Sequence, residues 1–247
     1  LVSSGLPGLD ALLGGGLASG SSTLVIGPAG VGKSIILFQY LSAAVARGER
    51  AALFAFDEEL GLLFNRAKAL GHDFVAMREA GKLFVEQVDA AELSPGEFAE
   101  RVCRCVDREN IRTVVIDSLN GYQASMPEEQ FLILHLHELL QYLNRQGAAT
   151  FLAIAQHGMI GEMKQTIDVT YLADNVILLR FFEALGRVRR AISVLKKRTG
   201  AHETTIREFR IDGTGIKLGE PLEEFQGVLR GVPVYTGARS PLIGSQS

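Results

Sequence analysis

The apolar positions of this chain fall into short runs that alternate with stretches of helical spacing. SSTLVIG (21–27) is a continuous apolar run of strand length, and SIILFQYLSAAVAR (34–47) carries its apolar residues at helical intervals. The alternation then repeats. AALFAF (51–56) precedes the helical pattern LGLLFNRAKAL (60–70), and KLFVEQV (82–88) precedes a helix that opens at SPGE (94–97) and runs through Arg108. In SPGE, Ser stands before Pro with Glu three residues on, an arrangement that satisfies the free N–H groups of a helix start. TVVIDSL (113–119) predicts a strand, EQFLILHLHELLQYLNRQ (129–146) the longest helix, and ATFLAIAQ (149–156) a further strand.

Strands that alternate with helices predict an α/β fold, a mostly parallel sheet with helices on both faces. After Gln156 the pattern changes. NVILLRFF (175–182), RAISVLKKR (190–198) and TTIREFRI (204–211) read as strands joined by short turns at EALGRV and TGAHE, with DGTG closing the third. This predicts an antiparallel C-terminal extension of the same sheet. Residues 218–247 have little periodicity and are interrupted by Pro, Gly and Ser, which predicts a tail or a docking arm. The expected division is one domain over 1–220 and, over 221–247, a C-terminal tail or an arm that docks on a neighbour.

Composition narrows the class. The 247 residues are 47% apolar and 21% charged, ordinary for a soluble globular protein and enough for one large α/β domain. A net charge of −3 argues against a surface built for non-specific nucleic-acid binding. No apolar run approaches a membrane span, and no signal peptide is recognisable. Cys103 and Cys105, two apart in a helical pattern, point in different directions, so neither a disulfide nor a zinc site is expected, and a reducing cytoplasm suits them. His135 and His137 are likewise off-register for sharing a metal. The chain begins at Leu1 instead of Met, which reads as a piece of something longer.

The chemistry concentrates at GPAGVGKS (27–34), which matches G-x-x-x-x-G-K-[ST] between a predicted strand and a predicted helix. Gly27, Gly30 and Gly32 let the backbone of Pro28, Ala29 and Val31 curl so that N–H groups face a phosphate. The helix N-terminus adds positive potential, Lys33 reaches the outer phosphates, and Ser34 offers a ligand to Mg²⁺. Asp117 ends the strand TVVID at the sheet edge where ligands bind, placed to hold the water shell of that Mg²⁺. Asp57, Glu58 and Glu59 follow AALFAF; their spacing fits either a helix start complemented by acidic residues or a general base for the attacking water. LKKRTGAHE (195–203) gathers cations around a Thr-Gly turn, and its spacing alone reads as a solvated basic turn at a sheet edge.

With these residues in hand, the chain resembles the KaiC-like family of RecA-type P-loop ATPases over nearly its whole length. The resemblance rests on SSGLPGLDALLGGGL (3–17), the phosphate loop, ERAALFAFDEE (49–59), VVIDSLNG (114–121), RRAISVLKKRTGAHETTIREFRI (189–211) and PLEEFQGVLRGVPVYTG (221–237). It is stronger to the second of that family's two tandem domains.

The resemblance implies rings, usually of six copies, with ATP between neighbours. It implies that Lys196, Arg198 and His202 meet the γ-phosphate held by the next subunit. It places Asp57 and Glu58 on a pair of catalytic acids. Asp57 replaces the usual Glu and is one methylene shorter, which gives Glu58 the greater weight as base. Gln156 stands where a γ-phosphate sensor would, and His157 beside it reads as an ordinary loop histidine. Thr170 in DVTYLAD (168–174) stands on the first of two phosphoacceptor positions, with Tyr171 on the second, where the family has a small hydroxyl.

The reading is a Mg²⁺-dependent, cytoplasmic ATPase with a signalling or regulatory role and a regulatory protein partner, with autophosphorylation on Thr170 left open. Two alternatives stand beside it. A DNA-directed motor would need basic loops in the ring channel, where HGMIGEMKQT (157–166) offers only Lys164 as clear positive charge. A non-catalytic, nucleotide-dependent scaffold would show no turnover that depends on Glu58.

Overall fold

The computed structural model describes residues 1–56, 58–92, 94–124, 129–156, 169–230 and 233–236. A short helix α1 (Pro7–Leu12) precedes strand β1 (Ser22–Pro28), and the Gly-rich loop joins β1 to helix α2 (Lys33–Ala46). The alternating part continues through β2 (Arg50–Phe56), α3 (Leu60–Ala69), α4 (Phe74–Glu79), β3 (Leu83–Val88), α5 (Pro95–Glu109), β4 (Ile111–Asp117), α6 (Leu119–Ala124), α7 (Glu129–Arg145) and β5 (Ala149–Gln156). Four strands follow without helices between them: β6 (Asn175–Ala184), β7 (Arg187–Lys197), β8 (Arg207–Asp212) and β9 (Gly215–Pro221).

All nine form one sheet in the order β3-β2-β4-β5-β1-β6-β7-β8-β9. Neighbours from β3 to β6 are parallel, and β6 to β9 are antiparallel, as the change of pattern after Gln156 predicts.

The apolar runs are continuous because helices cover both faces of the parallel part. Along β1, Val25 joins a core with Ile36, Leu37, Tyr40 and Leu41 of α2. Its neighbours Leu24 and Ile26 point the other way, into a core with Phe98 and Val102 of α5 and Leu136 and Leu140 of α7. This is the two-residue period of a strand dividing its side chains between two layers. Each such side chain contributes about 1.5–3 kcal/mol by leaving water. Helix α5 starts as SPGE predicts: Ser94 Oγ accepts from the Glu97 N–H, and the Glu97 carboxylate accepts from the Ser94 N–H. Asn110, with a φ of 50°, ends it. No helix among the described residues is long and apolar enough to cross a membrane.

Three local expectations are corrected. The strand predicted over 113–119 stops at Asp117, and Leu119 already begins α6. The turn expected over EALGRV is only Leu185 and Gly186, because Glu183 and Ala184 still pair with Val188 and Arg187. Both turn residues have positive φ (53° and 68°), the twist that a tight hairpin requires. Order also extends further than the weak periodicity after residue 217 suggests. β9 pairs with β8, placing Leu218 beside Phe209, and Leu222 and Val228 are buried against Phe182 and Ala184. A two-stranded sheet of β10 (Phe225–Gln226) and β11 (Val234–Tyr235) follows; its strands are too short to leave a periodic signal.

Candidate nucleotide site

The sheet order puts β5 between β4 and β1, so the C-terminal ends of all three converge at one edge. The Gly-rich loop rises from that edge. Gly32, with a φ of 115°, caps α2 and offers no side-chain acceptor, so the first-turn N–H groups of the helix point into the loop. Together with the positive end of the helix they are an arrangement that favours an anion. A Cβ at Gly32 would lie 2.5 Å from Ile211 Cδ1, and one at Gly30 (φ 76°) would meet nothing within 4 Å. Gly32 and Gly30 are therefore both required by backbone conformation, and at Gly32 a side chain would also have to displace the end of Ile211 on β8.

Lys33 is buried, and its Nζ donates to the carbonyl oxygens of Gly27 (2.9 Å) and Pro28 (2.8 Å). Burial lowers its pKa, and the Asp117 carboxylate partly offsets that shift. Asp117 responds in the opposite direction: burial raises its pKa, while a hydrogen bond from Ser34 and the charges of Arg66 and Lys33 oppose the rise. Ser34, Lys33 and Asp117 thus form one electrostatic unit, drawn from the loop and β4. A hydroxyl beside a carboxylate is an oxygen donor set suited to Mg²⁺, which takes few protein ligands and fills its remaining positions from water and phosphate. Among the described residues no cluster of three or more His, Cys, Asp or Glu competes for a metal.

The acidic residues after β2 divide their roles. Glu59 caps α3, accepting from the N–H groups of Gly61 (2.9 Å) and Leu62 (3.0 Å), which hold its carboxyl below the ordinary range. Glu58 is paired with Arg66 of α3, Oε2 to Nη2 at 2.5 Å. Ala55 of β2 lies beside Asp117, so Glu58 stands just past the same edge. Asp57 lies outside the described residues, as do His157 and the whole of 157–168.

Gln156 ends β5 beside Pro28, and its Oε1 is buried without a partner among the described residues. Asn120 pins this end of β5, accepting from the Ala155 N–H (2.7 Å) and donating to the Ala155 oxygen (3.1 Å).

Arg66 is the functional candidate that sequence reasoning missed. Its guanidinium lies 4.9 Å from the Phe38 ring centroid, bonds to Glu58 and acts on Asp117. Only its place as a polar residue within a helical pattern was visible. Asn120 was missed too, although it lies inside the quoted VVIDSLNG.

The cationic turn is elsewhere. Lys197 at the end of β7 pairs with Asn175, and Asn175 pairs with Thr23 near the start of β1. Lys196, Arg198 and His202 therefore lie at the sheet edge opposite their own phosphate loop. There Lys196 Nζ donates to the carbonyls of Ala173 (2.7 Å) and Thr170 (3.2 Å), and Arg198 pairs with Asp174 at 3.1 Å. Lys197 Nζ bonds to the oxygens of Leu13 and Ala201, fastening the turn to the segment after α1. Thr170 shares this edge, and Tyr171 is 55% exposed beside it.

Against known proteins, the family described as "ATPase: KaiC" matches residues 2–223. The chain is 30% identical to the circadian clock protein KaiC3 of Synechocystis, a match covering 95% of this chain and 46% of that protein. It is 28% identical to the circadian clock oscillator protein KaiC of Parasynechococcus marenigrum, over 98% of this chain and 48% of that one. It is 26% identical to the protein of the same name from Thermostichus vulcanus, over 94% of this chain and 45% of that one. The chain spans about half the length of these relatives.

Proposed function

The chain belongs to the KaiC family of ATPases, and on that premise we propose that it binds Mg²⁺-ATP in the loop Gly27–Ser34 and hydrolyses it at sites shared between neighbouring copies in a ring. Lys33 and the N–H groups of the loop hold the β- and γ-phosphates; Ser34 and Asp117 hold Mg²⁺, directly and through its water shell. The bound Mg²⁺ supplies positive charge against the phosphate oxygens. Glu58, with Asp57 beside it, takes the proton of the attacking water. Gln156 stands near the γ-phosphate, where its amide oxygen, buried without a partner among the described residues, accepts a hydrogen bond from the attacking water. Lys196, Arg198 and His202 come from the adjoining copy and stabilise charge on the transferring group.

One observation carries the reading. The cations lie at the far edge of the sheet from the loop that they would serve, so a second copy has to bring them. Supplying them from a neighbour ties turnover to assembly, which suits a regulatory switch better than a housekeeping hydrolase. The clock role in the relatives' names is theirs; for this chain the proposed output is nucleotide-dependent assembly read by a protein partner.

The test is steady-state ATP turnover with Mg²⁺ for the parent chain and for Glu58→Gln, with mass by light scattering in a non-hydrolysable ATP analogue. Turnover that falls at least about a hundredfold in Glu58→Gln, with assembly retained, is expected of a lost general base. Equal, near-zero turnover in both would leave a nucleotide-dependent scaffold.

A second reaction is favoured by the contact of Lys196 with the Thr170 carbonyl. The same interface presents the Thr170 hydroxyl to a neighbour's ATP. Attack by its oxygen forms a phosphothreonine ester as the bond to ADP breaks, and the hydroxyl proton passes to the neighbour's general base. Incubation with γ-labelled ATP should label the parent chain and leave Thr170→Ala unlabelled; equal labelling of both would remove Thr170 as acceptor.

A further inference from the structure

Asp174 stands where the central sheet meets the cationic turn, and none of the roles above uses it. It is buried immediately before β6, beside the start of β1. Its N–H donates to the Ser22 carbonyl at 3.0 Å. Its Oδ2 accepts from the Ser22 N–H (2.9 Å), the Ser22 hydroxyl (3.1 Å) and the Asn144 amide (3.3 Å). The other oxygen, Oδ1, meets Arg198 Nη1 at 3.1 Å, and the Arg198 N–H donates to the Asp174 carbonyl at 2.9 Å. One residue therefore holds Arg198 by main chain and by side chain together.

The arrangement has a direction. A buried carboxylate must be paired, and here three donors saturate one oxygen and fix the group against β1. That leaves the second oxygen aimed at the arginine. The Arg198 side chain is 58% exposed, so the rest of its planar fork still faces outward with donors to spare. A guanidinium tethered at one nitrogen and open at the others has its orientation set before any phosphate arrives. Ser22 is also the first residue of the strand that ends in the phosphate loop, so the tether joins the arginine given to a neighbour to the strand that carries the subunit's own site.

We propose that Asp174 is the positioning residue of the trans-acting arginine, holding Arg198 in the geometry at which it meets the γ-phosphate of the adjoining copy. This inference rests on the shared-site reading above. Displacing a catalytic group by about 1 Å can cost on the order of a hundredfold in rate, so loss of the tether should appear in kcat while ATP affinity stays.

The experiment mixes two variants of the chain and measures ATP turnover. Lys33→Ala subunits donate Arg198 but hold no ATP; Arg198→Ala subunits hold ATP but donate no arginine. Turnover recovered on mixing is expected of shared sites, and its absence overturns the shared-site reading itself. With recovery established, the donor is replaced by Lys33→Ala/Asp174→Asn, with co-assembly checked by light scattering. Recovery should fall by about tenfold or more, with KM for ATP unchanged. The same Asp174→Asn change on the Arg198→Ala subunit should cost nothing further, because no arginine is there to position. Full recovery with the altered donor overturns the inference. So does an equal loss from either subunit, which is what a purely structural link between β6 and β1 would give. Should Asp174→Asn not assemble, Asp174→Glu keeps the charge, moves the carboxylate by a methylene and is read the same way.

Discussion

Lys33 and Arg198 lie at opposite ends of the same sheet. Lys33 bonds to carbonyls at the C-terminal end of β1, while Arg198 follows Lys197, whose pairing through Asn175 leads to Thr23 near the strand's start. The length of β1 puts roughly 20 Å between them, far beyond the reach of one arginine side chain. A site that uses both must be assembled from two chains.

Turnover per chain should therefore rise with chain concentration and level off where the mass by light scattering levels off. Arg198→Ala should lose on the order of a thousandfold in kcat at saturating concentration, the scale of a missing arginine finger. Turnover per chain that stays flat through dissociation would mean that each chain completes its own site.

Arg66 should matter to chemistry more than to stability. Its pair with Glu58 is partly exposed, with the side chains 37% and 30% accessible, and such pairs contribute less than about 1 kcal/mol to folding. Arg66→Met keeps an unbranched apolar side chain beside Phe38 but removes the guanidinium that lies over its ring and pairs with Glu58. The expected result is a kcat lower by about tenfold and a melting temperature close to the parent's. Unchanged kcat would reduce the pair to a surface contact.

Gly14 controls the cationic turn from the other side of the chain. It has a φ of 62°, and a Cβ there would lie 2.0 Å from the Ala201 oxygen. Gly14→Ala must therefore push the turn outward, at a cost of about 1–3 kcal/mol in unfolding free energy. Gly48 is the control, with a φ of 84° and nothing within 4 Å of its Cβ. Denaturant unfolding should find Gly48→Ala clearly milder; equal losses would mean that strain in φ, and not the clash, sets the cost.

What the sequence made legible follows from how local each feature is. β5 falls on 149–156 as read, and the capping of α5 was visible in four residues, because both depend on neighbours in the chain. The same holds for the loop: strand, glycines and lysine are contiguous. Arg66 was silent because its partners come from the end of β2 and the end of β4, which only the sheet order brings together. Asp174 was silent for the same reason, with Ser22 lying 152 positions away in the chain. β9 escaped because a seven-residue edge strand, GIKLGEP, with two glycines, a proline and exposed Lys217 and Glu220, carries little apolar signal.

Lys33 should reveal its role by what its loss does not harm. It is a buried cation satisfied by two carbonyls, and burial already favours its neutral form. Its loss also removes the cost of burying a charge, which offsets the two hydrogen bonds given up. Lys33→Ala should thus melt near the parent without nucleotide. It should lose the stabilisation that ATP gives the parent, about 2.7 kcal/mol at a hundred times Kd. A thermal-shift titration with Mg²⁺-ATP separates the two; an undiminished shift in Lys33→Ala would place ATP elsewhere.

Glu59 separates the capping role from the catalytic one among the acidic residues after β2. The N–H groups of Gly61 and Leu62 hold its carboxyl below the ordinary range in the folded chain. A depressed folded pKa makes the charged form the stabilising one. Its contribution is complete above the unfolded value and is lost as pH falls through the lower folded value. Glu59→Gln keeps the shape of the cap without its charge. The parent should therefore melt above Glu59→Gln at neutral pH, by a small margin because the group is exposed, and the margin should close as pH falls below the ordinary carboxylate range. ATP turnover at neutral pH should be the same in both, since Glu59 is committed to the helix and Glu58 is the proposed base. A margin that persists unchanged into acid would assign the cap to shape alone. A loss of turnover in Glu59→Gln comparable to that in Glu58→Gln would move the general base one residue along the chain.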